Sequence, residues 1–122
     1  MPHIVPVVFA NDSSNIYFVI DRKTKHEKLR RVENIERTGI ATLLADKYSE
    51  DWEKLSFVMI RANANIVTNL SEKRRAARLL KQKYPQYSRG GYFPDHVEDA
   101  TFVKLSPVRI AQWSQKLRKS VI

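Results

Sequence analysis

Residues 56–67, SFVMIRANANIV, constrain the fold more than any other stretch of this chain. Successive side chains of a strand point to opposite faces. Val58, Ile60, Ala62, Ala64 and Ile66 therefore share one side, and Met59, Arg61, Asn63 and Asn65 share the other. Such alternation indicates a strand half-buried in an antiparallel sheet, with one face on a core and the other toward solvent. We place this strand within the segment from Glu53 to Val67. It needs neighbours on both edges.

Four other runs supply them. The chain opens on PHIVPVVFA, an extended run over residues 3–10 in which Pro2 and Pro6 confine the strand to an edge, a bulge or a strand start. The turn residues NDSSN follow, and then IYFVI within 15–21, so the two runs read as a hairpin. GIATLLADKY resumes strand character after Gly39, a C-cap, and ATFVKLSPVRIAQW is a last strand broken by Pro107. Two helices are interposed. KHEKLRRVENIER carries Leu29, Val32, Ile35 and Ile40 at spacings near three. EKRRAARLLKQKY follows Ser71 as N-cap, bears Ala76, Leu79, Leu80 and Lys83 or Tyr84 on one side over about three turns, and ends at Tyr84-Pro85. Strands without β-α-β alternation favour an antiparallel barrel or α+β sheet over a doubly wound fold.

With 122 residues, the chain has room for one core and is read as a single domain. Hydrophobic residues at 43% and charged residues at 29% are globular in balance, and no apolar run reaches the length of a membrane span. The opening run lacks the basic leader and unbroken apolar stretch of a signal peptide, so cytoplasmic residence is expected. There is no cysteine, which excludes disulfides, thiolate metal sites and cysteine nucleophiles. Any redox chemistry must come from a bound cofactor. A net charge of +9 attracts anionic partners without choosing among nucleic acid, a phosphorylated cofactor and an acidic protein.

The sharpest local constellation is DRKTKHEK, where Arg22, Lys23, Thr24, Lys25 and Lys28 gather at a strand end before a helix. Alternate lysines with a hydroxyl between them, backed by helix amides, can hold a phosphate monoester; a solvated basic turn has the same composition. The second helix collects Lys73, Arg74, Arg75, Arg78, Lys81 and Lys83 around its Ala/Leu stripe. This is the polar face of an amphipathic helix, and no nucleic-acid reading element accompanies it. His3, His26 and His96 lack ligand spacing, which argues against a metal site. Asp46, Glu50, Asp51 and Glu53 fall in a hairpin loop, where nothing forces two carboxylates into an apolar pocket. Trp52, Tyr87, Tyr92, Phe93 and Trp113 lie in or beside loops, either packing a barrel end or facing a planar ligand.

PHIVPVVFA, IYFVIDRKTK, LRRVENIERTGIATLLADKYSEDWEKL and LLKQKYPQY, in that order and spacing, resemble the pyridoxamine phosphate oxidase-like split β-barrel superfamily. Within it the chain is most similar to the deazaflavin-dependent branch, whose members read P-H-x-V-P-V-x-F, K-x-K, R-x-x-N-I-x-x-x-P and D-x-x-W. The resemblance implies a mainly β, α+β fold: an antiparallel split β-barrel of the FMN-binding type with two short helices, homodimeric, with F-420 or FMN in a groove between subunits. It implies an oxidoreductase passing a hydride between that cofactor and a small organic substrate. Lys23 and Lys25 match the phosphate-binding lysines, with Arg22 and Thr24 supporting them. Pro6, Val7 and Val8 match the strand along the cofactor ring, and Asp51 and Trp52 match the D-x-x-W region more loosely. Arg109 and Trp113 correspond to C-terminal residues that a second subunit contributes in related oxidases.

The chain also departs from the pattern. FVMIRANA stands where relatives read W-V-R-x-x-G-x-A, putting Met59 at the usual arginine and Ala62 at the usual glycine, and ERTGIA replaces an N-P turn. Relatives commonly carry a helix and a first strand before P-H-x-V-P; residues 1–122 are read as one domain that either starts short of them or does without them, and in the second case an edge is left for dimerisation to cover. A non-catalytic flavin- or deazaflavin-binding protein is the alternative; a basic nucleic-acid-binding module has charge but little else in its favour.

Overall fold

The computed structural model describes residues 7–20, 25–47, 56–89 and 97–114, with the side chains of 25–31, 47, 88–89 and 113–114 excepted. The described elements run β1 (Ala10–Asn11), β2 (Ile16–Val19), α1 (Lys25–Thr38), β3 (Ile40–Lys47), β4 (Ser56–Ile66), α2 (Leu70–Lys83) and β5 (Phe102–Ser114). Single 3-10 turns at Pro85–Arg89 and Val97–Asp99 lie between α2 and β5. The strands make one curled five-stranded sheet in the order β1-β2-β5-β4-β3, antiparallel throughout. This is the mainly antiparallel, two-helix architecture that the alternation pattern and element order predict.

The β1–β2 hairpin is closed by Asp12, whose Oδ1 accepts from the backbone N–H of Ser14 at 2.8 Å and of Asn15 at 2.7 Å. The described part of the opening run, residues 7–11, is strand only at its end. Among the described residues of that run, only Ala10 and Asn11 pair with β2, and Val7 to Phe9 lie outside any strand. Their apolar content serves burial instead, since Val7 and Phe9 pack against the core.

The sheet buries apolar residues on both faces, each under its own helix. On one face Ala10, Tyr17 and Phe102 meet Ala76, Ala77 and Leu80 of α2. On the other, Ile16, Leu43, Ala62, Ala64, Val103 and Leu105 meet Val32 and Ile35 of α1. The β4 alternation holds: Ala62 and Ala64 are buried, while Met59, Arg61, Asn63 and Asn65 are exposed.

Three local details differ from the sequence reading. The N-cap of α2 is Asn69, whose Oδ1 accepts from the Glu72 N–H at 3.1 Å; Ser71 lies in the first turn and donates its hydroxyl to that same oxygen at 2.8 Å. Both residue types cap well, and the earlier one captures the amide. Ile40 opens β3 rather than extending α1, because Gly39 adopts φ +65° and donates to the Ile35 carbonyl at 2.8 Å. Glycine at this left-handed C-terminal position is the expected helix stop. Pro107, finally, does not break the last strand. β5 runs from Phe102 to Ser114, and the pairing steps from Ala62↔Pro107 to Arg61↔Arg109, leaving Val108 with no residue opposite. A proline is accommodated where the ladder is already irregular.

Candidate functional site

The two helices do not cover the sheet equally. α2 covers its face over β1, β2 and the start of β5, and no described helix covers the same face across β3, β4 and the second half of β5. Pairing arranges this open area in cross-strand rows: Ile40, Asn63 and Ser106; then Thr42, Arg61 and Arg109; then Leu44, Met59 and Ala111. Ile40, Leu44 and Met59 are 47%, 60% and 43% exposed, large apolar side chains that folding of one chain leaves in water. Clustered exposure of this kind marks an interaction surface rather than scattered surface composition.

The middle row carries the charge. Arg61 and Arg109 are direct partners across β4 and β5, both exposed, and neither side chain makes an ion pair or hydrogen bond among the described residues. Directly opposed side chains in an antiparallel pair stand about 5 Å apart at Cβ. The row therefore presents two guanidinium forks side by side, each shaped for a carboxylate or phosphate.

A second polar cluster lies where α2 begins. The buried Tyr17 donates its hydroxyl to Glu72 Oε2 at 2.8 Å and accepts from Arg75 Nη2 at 2.8 Å. Lys104 Nζ lies 3.2 Å from Glu72 Oε2, and Arg75 Nη2 lies 3.3 Å from Asp12 Oδ2. Burial pushes the Tyr17 hydroxyl above its ordinary value, reinforced by the Glu72 carboxylate. Burial also pushes Glu72 up, but hydrogen bonds from Tyr17 and Lys104 outweigh it and hold the carboxyl low. Asp12 is held low chiefly by the Asn15 and Ser14 amides. Each of these side chains is partnered within the fold, so the cluster fastens α2 to the sheet. Beyond it, the exposed side of α2 forms a shallow groove lined by Arg74, Arg78 and Lys81 with Ala77 and Val97, in keeping with the polar face of an amphipathic helix.

The expected site residues that the structure describes lie apart from one another. Arg109 stands on the open face, and the backbone of Trp113 pairs opposite Phe57. Val8 is exposed, Val7 packs into the core on the α1 side, and both precede β1 rather than lying in a strand. Lys25 is the first residue of α1, not the end of a strand. Pro6, Arg22, Lys23, Thr24, Asp51 and Trp52 lie outside the described residues. No group of metal-ligating side chains occurs among the described residues, and no helix among them is long and apolar enough to cross a membrane.

Sequence reasoning missed Arg61. Alternation puts it on the outer side of β4, but which residue faces it depends on a pairing register and a bulge that no local pattern encodes. Met59, at the position where relatives carry arginine, is one row away on the same face.

The sequence matches the family model described as pyridoxamine 5'-phosphate oxidase over residues 1–115. Among curated protein sequences, none matches. Similar solved structures include a conserved hypothetical protein from Mycobacterium tuberculosis, at TM-score 0.71 and 16% identity over 97% of this chain and 72% of that one. An FAD-binding protein from Mycobacterium smegmatis is similar at TM-score 0.58 and 16% identity, over 91% of this chain and 74% of that one. A flavocytochrome from Azotobacter vinelandii is similar at TM-score 0.61 and 15% identity, over 93% of this chain and 56% of that one. At these identities the likeness establishes the split-barrel fold.

Proposed function

The chain belongs to the pyridoxamine 5'-phosphate oxidase family, and from that premise we propose that it is a flavin- or deazaflavin-dependent oxidoreductase. In this reading it passes a hydride between FMN or F-420 and a small organic substrate in the cytoplasm. The observation that carries the reading is the open sheet face, where the exposed row Leu44, Met59 and Ala111 adjoins the arginine row. An apolar strip beside guanidinium donors suits a planar ring joined to an anionic side chain, and similar folds include an FAD-binding protein and a flavocytochrome.

When bound, the flavin or deazaflavin supplies the hydride chemistry, and the protein supplies orientation, electrostatics and exclusion of water. A cysteine-free chain is suited to that division. Lys23 and Lys25, with Arg22 and Thr24, are proposed to hold the cofactor phosphate; Lys25 stands at the first turn of α1, where unpaired amides favour an anion. Pro6, Val7 and Val8 are proposed to border the ring, and Trp52, Arg109 and Trp113 to complete the site. A second copy of the chain, covering Leu44 and Met59 of the first, would shield the cofactor from water and contribute its own Arg109 and Trp113. F-420, with a phosphodiester and a glutamate tail, makes more use of the basic surroundings than FMN.

Titration of the purified protein with FMN and with F-420, followed by fluorescence, tests the reading. Binding at micromolar or tighter concentration that is lost in a Lys23→Ala/Lys25→Ala variant supports it, and failure to bind either cofactor sinks it. Binding without turnover across a substrate panel would instead identify a cofactor-binding protein that does no chemistry.

A further inference from the structure

We infer that the Arg61–Arg109 pair is a binding site for a single oxyanion, phosphate or carboxylate, and that the bulge at Val108 exists to assemble it. The inference rests on the proposed function only for the identity of the molecule that carries the anion.

Two like charges directly opposite each other on paired strands destabilise a sheet. Here nothing among the described residues offsets them: Glu72 is committed to Tyr17 and Lys104, Asp12 to Arg75, and Asp46 stands two rows further along β3. The two guanidiniums are exposed, so an arriving anion relieves their repulsion instead of breaking an existing pair. Thr42, in the same row on β3, adds a hydroxyl beside Arg61.

The register shows how the pair arises. Below the bulge Ala62 faces Pro107, and above it Arg61 faces Arg109. In a regular ladder Val108 would face Arg61, and Arg109 would face Ile60 on the opposite side of the sheet. The single extra residue turns Arg109 and Ala111 toward the open face together. Bulges recur beside functional sites because they re-aim a side chain in this way.

The flanking rows define the ligand class. Asn63 and Ser106 lie on one side of the arginines, and Leu44, Met59 and Ala111 on the other. A phosphate or carboxylate on an apolar body fits this order, its charged end on the arginines and its body over the apolar row. The carrier is either the cofactor's side chain or an acidic substrate, and the following experiment separates them.

The full chain is titrated calorimetrically with inorganic phosphate at constant ionic strength set by chloride, and with FMN and riboflavin, for the wild type, Arg61→Gln and Arg109→Gln. Phosphate should bind the wild type and raise its Tm, and each variant should lose at least tenfold in phosphate affinity. In phosphate-free buffer the variants should melt no lower than the wild type, since each removes a repulsion; this shows that lost binding is not lost folding. If the preference for FMN over riboflavin falls in Arg61→Gln, the anion is the cofactor's phosphate, held by the arginines and not by Lys23 and Lys25 alone. If that preference is unchanged while phosphate binding is lost, the anion belongs to a second, acidic ligand. Phosphate binding that depends on Arg61 when neither flavin binds would defeat the flavin reading and uphold the site. Phosphate affinity within twofold of wild type in both variants, or no phosphate binding by the wild type, overturns the inference.

Discussion

Tyr17 of β2 and Glu72 of α2, 55 residues apart in sequence, are joined by a 2.8 Å hydrogen bond across the seam between sheet and helix. Tyr17 is fully buried, so its hydroxyl would be orphaned without that carboxylate and the Arg75 guanidinium. Tyr17→Phe keeps the ring and removes the bond. We expect a loss of about 1.5–3 kcal/mol in denaturant unfolding, the range for a hydrogen bond to a charged partner.

The same cluster sets a pH window. Asp12 and Glu72 are held below their ordinary values of 3.8 and 4.5, so in acid the unfolded chain takes up protons first. Their contribution is present above those values and is lost as pH falls through the lower, folded ones. Tyr17 is raised above 10.0, so its contribution is complete below that pH and is lost as pH rises through the folded value. Melting temperature should therefore fall at both extremes. Glu72→Gln should flatten the acid limb and Tyr17→Phe the alkaline limb, as read by thermal unfolding at graded pH.

Asn69, not Ser71, holds the first amides of α2. Asn69→Ala should destabilise by about 1 kcal/mol, the usual loss on removing an N-cap. Ser71→Ala removes only a bond to the cap side chain and should cost less than half as much. Equal effects of the two variants in chemical denaturation would contradict the assignment.

At Gly39 a Cβ would meet nothing within 4 Å, yet φ is +65°. Gly39→Ala therefore tests backbone strain without a clash and should cost about 1–2 kcal/mol. Asparagine tolerates this conformation better, so Gly39→Asn should recover part of the loss in the same unfolding assay.

Leu44 is 60% exposed on the face proposed for a second subunit. Leu44→Glu should convert a dimer to a monomer in sedimentation velocity, with little loss of secondary structure because the residue contributes little to the monomer core. A dimer that persists in this variant would place the interface elsewhere.

The architecture was largely legible because it is written in short-range patterns. The two-residue period of 58–66 defined β4 and both its faces, Gly39 marked the end of α1, and Tyr84-Pro85 marked the end of α2. What failed was the meaning of proline and the choice between adjacent caps. Pro107 reads as a strand break, but a bulge accommodates it within β5. Asn69 and Ser71 have similar capping chemistry, and only their position relative to the Glu72 amide separates them. The site was less legible than the fold. Arg109 emerged through family resemblance, but its partnership with Arg61, 48 positions away in sequence, depends on the register between two separate strands. No local window contains both residues.

That register has an evolutionary consequence. Point substitutions can vary the open face residue by residue, but removing one residue at the bulge would exchange the outward and inward sets of the distal half of β5 in a single step. Insertions and deletions near Val108 should thus be rarer among functional descendants than in the connecting loops. Where they occur, they should coincide with a change of ligand rather than with gradual drift.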